Sequence, residues 1–305
     1  MAGVGVSAPT ALRTLLDGIV DYAGLFPPAA LGMAEAVAEY AQARARAHAW
    51  MLGRLVVPAN RLDELTGEVG VLPETADVSS WRVSALVAAD LSGNLDAIHR
   101  FNARPNGPRV DAIEAKVESL EQLDEVSRRA PGELARFIEI PTAANRDQVL
   151  ERLATLRLRA KIRTGGITEG AFPSPESVAS FTTACHRLNV AWKATAGLHH
   201  PMAGDHRLTY EPNSACGRMF GFLNVALGAA AVRQGMSEQD LARLLRETDP
   251  HAFAFDAGGA TWRAVRLPAA LLADTRRDSF MGFGSCSFRE PVADLATLGW
   301  LTLHD

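Results

Sequence analysis

The chain has 305 residues, 48% of them apolar, with a formal charge of −4 and a pI near 6.1. That balance leaves no electrostatic footprint for nucleic acid or for an anionic membrane surface, and no run of about 18 apolar residues is available to span a bilayer. The stretch MAGVGVSAPTALRTLLDG has no basic segment ahead of an apolar one, so no secretory signal is read there. Cys185, Cys216 and Cys286 are too few and too widely spaced for a disulfide framework or a zinc motif, so reduced thiols and a cytoplasmic location are expected.

Short apolar, β-branched runs alternate with longer helical patterns, the signature of a parallel βαβα sheet. The expected strands are 18–22, 52–57, 83–88, 110–117, 136–140, 159–163 and 190–195, with an eighth near 280–285. Helices are expected at 33–47, 119–129, 145–156 and 174–188, the first Ala-rich with apolar residues at helical spacing. Eight such units at this length predict a single-domain (β/α)8 barrel, a TIM barrel, with a doubly wound sheet as the rival. The stretch 201–278 is too long for a plain crossover. Helices are expected in it at 217–234 and 237–246, with a hairpin in AFAFDAGGATW, and the whole reads as an elaboration over the mouth, a lid or a contact between copies in a homo-oligomer.

Lys and Arg together number 31, and only Lys116, Lys161 and Lys193 are lysine, which leaves 31 − 3 = 28 arginines. A lysine kept against that bias points to chemistry that arginine cannot do, because an amine can lose its proton near neutrality and a guanidinium cannot. In a barrel strand alternate residues point inward, and functional groups gather at the C-terminal ends. Parity then pairs Glu114 with Lys116, Lys161 with Arg163 and Lys193 with Thr195, and adds Glu139. Counting Lys116, Lys161, Arg163 and Lys193 against Glu114 and Glu139 gives an expected +4 − 2 = +2, which favours a small anionic substrate. A lysine crowded by cations loses its proton more readily and can attack a carbonyl to form an imine, with Glu114 moving protons. No cofactor is needed for such chemistry.

Three stretches carry a family resemblance. They are Lys161-Ile162-Arg163-Thr164-Gly165 with Ser174-Pro175-Glu176-Ser177 after it, Lys193-Ala194-Thr195-Ala196-Gly197-Leu198-His199, and Phe283-Gly284-Ser285-Cys286-Ser287. Here the chain resembles the deoxyribose-phosphate aldolases, class I (Schiff-base) lyases on a barrel, whose corresponding patterns run K-T-S-T-G, T-P-E-S, K-x-[SA]-G-G-[VI]-R and F-G-A-S-S. The resemblance implies that Lys161 forms the imine, that Lys193 tunes it and that Glu114 transfers protons. It also implies that Gly165, Gly166, Gly197 and Gly284 present backbone N–H groups to an anion beside Ser285. The chain departs from the pattern in Ala196-Gly197-Leu198-His199, in Glu114 where the family has Asp, in Glu139 where it has a further lysine, and in the long segment after strand seven.

Two other readings stay open. A metal-dependent lyase or hydrolase would use Asp90, Glu114 and Glu139, or His199 and His200 with Glu139. A non-catalytic barrel would bind without turnover. Asp21 or Tyr22 past strand one, the Pro27-Pro28 loop and Asn60 are lesser candidates for substrate contact or turn formation, and Arg289-Glu290-Pro291 is expected to open the last helix.

Overall fold

The computed structural model describes residues 8–140 and 146–302. The expected start of a helix at Asn145, and Pro141 after strand five, lie outside the described residues. Strands β1 (Val20–Tyr22), β2 (Leu52–Pro58), β3 (Arg82–Val87), β4 (Arg109–Lys116), β5 (Ala135–Glu139), β6 (Arg159–Arg163) and β7 (Trp192–Thr195) run parallel. Two further pieces precede the last stave: a two-stranded hairpin of β8 (Gly204–Arg207) and β9 (Cys216–Met219), and a three-stranded antiparallel sheet of β10 (Phe253–Asp256), β11 (Gly259–Trp262) and β12 (Val265–Pro268). Strand β13 (Phe280–Ser285) then pairs with both β1 and β7 and closes an eight-stranded parallel barrel. The fold is a (β/α)8 TIM barrel.

Local sequence sets the helix boundaries. Ser119 Oγ accepts from Gln122 N at 3.3 Å and Ser174 Oγ from Ser177 N at 3.1 Å, so each serine caps its helix, Leu120–Arg129 and Pro175–Arg187. Pro175 fills the first position of the second, where its missing N–H costs nothing. Outward-facing strand residues such as Ile113, Ile138 and Ala160 are fully buried against the helices. The inward positions nearer the strand starts are polar: Arg54 binds Asp111 through two hydrogen bonds, at 2.6 and 3.0 Å, and Arg82 joins the same carboxylate at 2.6 Å. The inside of the barrel is therefore ionic at more than one level.

The 201–278 stretch divides in a way its sequence reading did not anticipate. The helix expected at 217–234 begins only at Phe222, running Phe222–Arg233. The residues before it, Cys216–Met219, alternate exposed and buried and form β9. Helix Phe222–Arg233 is buried nearly all round and serves as the crossover layer beside β13. The expected hairpin is present as β10–β11, and β12 extends it into a sheet that packs against the N-terminal helix Thr10–Leu16 rather than over the mouth. Only the β8–β9 hairpin reaches the mouth.

Candidate active site

A cavity of about 290 Å³ opens at the C-terminal ends of the barrel strands. Glu114 from β4, Glu139 from β5, Lys161 and Arg163 from β6, and Lys193 and Thr195 from β7 all line it. Parallel pairing sets Glu139, Lys161 and Lys193 level with one another, and Arg163 level with Thr195 two residues beyond.

The floor is a chain of alternating charges. Lys193 Nζ donates to Asp21 Oδ2 and, at 2.8 Å, to Glu114 Oε1. Lys161 Nζ donates to Glu114 Oε2 at 2.9 Å and pairs with Glu139 Oε2 at 2.9 Å. The Ser84 hydroxyl donates to Glu114 Oε1 at 2.8 Å, and Asp21 Oδ1 accepts from the Arg54 backbone N–H at 2.7 Å. Asp21, Glu114, Lys161 and Lys193 are all buried, so each charge depends on its neighbours for compensation. Burial pushes the Glu114 carboxyl upward, and the Lys193 and Lys161 ammoniums more than offset it, holding Glu114 well below the usual carboxylate range. Burial likewise pushes Lys193 down, yet Asp21 and then Glu114 hold it above the ordinary lysine value. Lys193 is thus a fixed cation, its Nζ 5.3 Å from the Phe137 ring centroid.

Several expected site residues lie elsewhere. Lys116 ends β4 exposed and does not line the cavity. It shares parity with Glu114 and is the register partner of Glu139, yet its side chain is turned out to solvent. Asp90 caps helix Leu91–Asn102, its Oδ1 accepting from Gly93 N at 3.0 Å, so the set Asp90, Glu114 and Glu139 does not assemble. Tyr22 is buried away from the cavity and donates to Glu39 at 2.7 Å, while Asn60 is exposed outside it. Ser285 stands behind the lining, 3.5 Å from His199 Nδ1. Gly166, Gly197 and Gly284 line the cavity, and Gly165 packs behind them, where an added Cβ would lie 2.9 Å from the Gly197 Cα. Gly197 has φ of +73°, a left-handed conformation that glycine adopts without steric cost. The Thr164 hydroxyl donates to Ala196 O at 2.6 Å and fastens these two turns together.

The upper wall comes from the segments after β7 and β13 and from the β8–β9 hairpin. His199 Nδ1 lies 2.9 Å from Glu290 Oε2, and His200 Nδ1 lies 2.6 Å from Asp294 Oδ2. His206 stacks on His200 with centroids 3.5 Å apart. Burial and the neighbouring His200 push His206 down to about 4, so it is neutral at physiological pH. Both candidate histidines therefore hold carboxylates of the last helix, Arg289–Thr297, and not Glu139. Among the described residues no group of three or more His, Cys, Asp or Glu side chains is arranged to hold a metal ion.

Sequence reasoning missed Arg207 and Tyr210, which line the cavity from the hairpin. Asp21 was weighed only as a substrate contact and instead anchors Lys193. Its signal was positional: an acidic residue in the last turn of pleat in strand one. Arg163 and Arg207 are exposed at the mouth and take part in none of the ion pairs found among the described residues. Phe26, Pro27, Pro28, Ile167, Leu208 and Met219 add an apolar collar.

No protein-family model matches the chain, and no curated protein is found to be similar to it. Among the described residues no helix is long and apolar enough to cross a membrane.

Proposed function

We propose that the chain is a lyase of the class I aldolase kind, forming an imine between Lys161 and a small carbonyl substrate that carries an anionic group. The observation that carries the reading is Lys161 itself: it lines the cavity with Nζ between Glu114 and Glu139. The barrel is a fold that commonly supports enzymes at this end, but the chemistry is argued from the site.

Lys161 must shed a proton before its lone pair can attack. Glu139 is the least buried of the three carboxylates on the floor and sits in contact to receive that proton. The amine then adds to the carbonyl carbon, water leaves, and the resulting iminium accepts the electron pair of a breaking C–C bond. Lys193 and Glu114 keep the floor ordered and preorganised while this happens. Arg163 and Arg207 supply free guanidinium groups at the mouth for a carboxylate or phosphate, and the apolar collar limits water.

Borohydride reduction in the presence of pyruvate or glyceraldehyde 3-phosphate, followed by peptide mass spectrometry, tests the assignment. The expected result is a reduced adduct on Lys161 that is lost in Lys161→Ala. Absence of any lysine adduct across a panel of small anionic carbonyl compounds would remove imine chemistry.

A further inference from the structure

Making or breaking a C–C bond through an imine also needs a group that exchanges protons with the substrate hydroxyl and carbon. Glu114, expected from sequence to do this, is poorly placed for it. Both of its oxygens are occupied by ammoniums, one of them also by Ser84, and it is held ionised. Glu139 is committed to Lys161. The other titratable groups on the cavity wall are His199, His200, Tyr210, Cys286 and Glu290. His200 is tied to Asp294 and covered by His206. Burial pushes the Cys286 thiol and the Tyr210 hydroxyl upward, leaving both protonated.

His199 differs from these. It is buried, at 7% exposure, yet lines the cavity. Its Nδ1 faces Glu290 Oε2 at 2.9 Å, an oxygen that also accepts from the Tyr210 hydroxyl at 3.1 Å. Burial raises the Glu290 carboxyl, and the hydrogen bond from His199 leads the effects that overcome this and keep it ionised. An ionised carboxylate only accepts, so Nδ1 carries the hydrogen and Nε2 carries the lone pair of the neutral ring. Nε2 takes no hydrogen bond among the described residues. Glu290 is itself fixed in the first turn of helix Arg289–Thr297, its N–H donating to Ser287 Oγ at 3.2 Å, a position where a carboxylate is favoured.

We propose that His199, oriented by Glu290 and Tyr210, is the catalytic acid–base residue of this site and works through Nε2. The nature of the reaction rests on the imine reading above; the orientation of the dyad does not. In the cleavage direction Nε2 takes the proton of the substrate hydroxyl β to the iminium carbon. The O–H electron pair becomes the new C=O bond, the Cα–Cβ bond breaks, and its pair forms the enamine as the iminium nitrogen takes back its π electrons. The His199 imidazolium then returns the proton to the enamine carbon, and water hydrolyses the regenerated iminium. No oxidant or reductant enters. The charged and titratable groups around the ring are Glu290, Tyr210, Cys286, His200 with Asp294, and His206.

Two measurements test this. The first needs no substrate: long-range proton–nitrogen NMR on protein labelled with ¹⁵N-histidine. The expected result is the Nδ1–H tautomer at His199, with the Nε2–H form gaining population in Glu290→Leu, which removes the acceptor. An Nε2–H tautomer in the wild type, or a tautomer balance indifferent to Glu290→Leu, would overturn the dyad. The second follows exchange of the pyruvate methyl hydrogens in D₂O by NMR beside borohydride trapping of pyruvate on Lys161. His199→Asn should slow exchange by about 100-fold or more, the low end of what a positioned acid–base group supplies, with trapping kept within about threefold. Undiminished exchange in His199→Asn overturns the role. Failure to trap pyruvate in the wild type counts against the imine reading, and the tautomer measurement then decides the dyad alone.

Discussion

Lys161 and Lys193 are register partners on the neighbouring parallel strands β6 and β7, and Glu114 takes one ammonium on each of its oxygens. The two lysines are therefore bridged by an anion and not pressed together as bare cations. Along the floor the order is Asp21, Lys193, Glu114, Lys161, Glu139, two ammoniums against three carboxylates, or +2 − 3 = −1. The expected +2 counted Lys116 and Arg163 and omitted Asp21; with Lys116 outside the cavity and Asp21 on the floor, the same set including Arg163 comes to +3 − 3 = 0. Positive charge is found instead above the floor, on Arg163 and Arg207, so the cavity is polarised from mouth to floor.

That arrangement fixes the sign of a lysine substitution. Lys193→Ala leaves Asp21 without its ammonium partner and gives Glu114 to Lys161 alone. Lys161 then holds its proton more tightly, and the pH–rate profile moves in the alkaline direction. Breaking a buried pair by removing one partner also costs roughly 3–5 kcal/mol, so a clear fall in Tm is expected alongside. An unmoved or acid-shifted profile would show that Lys193 does not govern the Lys161 proton.

Acid stability reports the same network. Glu114 has a folded-state pKa below its unfolded value, which is about 4.3. Its contribution is fully present above the unfolded value and is lost as the pH falls through the folded one. Lys193 is shifted the other way, so its contribution is complete below about 10.4 and disappears as the pH rises through its raised value. Glu114→Gln should be less stable than the wild type at pH 7, and the gap should narrow as the pH is lowered from 5 toward 2. A constant gap across that range in urea unfolding would dissociate Glu114 from the acid transition.

Period-two alternation made much of this legible. It placed Glu114, Glu139, Lys161, Arg163, Lys193 and Thr195 on the inner face of their strands, and all six line the cavity. Parity carries no information on exposure at a strand's last residue, which is why Lys116, level with Glu139 but open to solvent, was expected inside. Partnerships across the closure seam leave no local pattern either: Asp21 and Lys193 are 172 positions apart, and His199 and Glu290 are 91. Glu290 read correctly as a helix opener, a role that says nothing about the side chain it orients. The β8–β9 hairpin was obscured because Phe222–Arg233 is apolar on every side, and the helical reading spread back over Cys216–Met219, whose alternation marks a strand.

Gly53 links backbone packing to the floor. A Cβ there would stand 2.4 Å from Asp21 Oδ1 and 3.0 Å from the Gly18 carbonyl oxygen. The first contact would push the Asp21 carboxylate off the Arg54 N–H, and the second is backbone that cannot swing aside. Gly53→Ala should therefore lower Tm by several degrees and, because the displaced Asp21 leaves Lys193 charged and dependent on Glu114 alone, shift the pH–rate profile in the acidic direction, opposite to Lys193→Ala. Loss of stability with an unmoved profile would confine the role of Gly53 to packing.

The polarised cavity makes a last demand, on substrate charge. Arg163 and Arg207 approach the mouth from different elements, the end of β6 and the end of β8, and each is exposed. Among the described residues neither is paired with a carboxylate that an anion would have to displace. A charge-assisted hydrogen bond contributes about 1.5–3 kcal/mol, with the lower end fitting groups this open to solvent. Arg163→Gln and Arg207→Gln should each raise KM for a phosphate- or carboxylate-bearing carbonyl substrate by about tenfold, the double variant by more, with kcat changed far less. KM for a neutral aldehyde should stay within a factor of two, and inorganic phosphate should inhibit the wild type more strongly than the double variant. Because the arginines lie away from the floor, borohydride trapping of the neutral aldehyde on Lys161 should survive both substitutions. Equal losses for charged and neutral substrates would mean that the two arginines shape the mouth without reading charge.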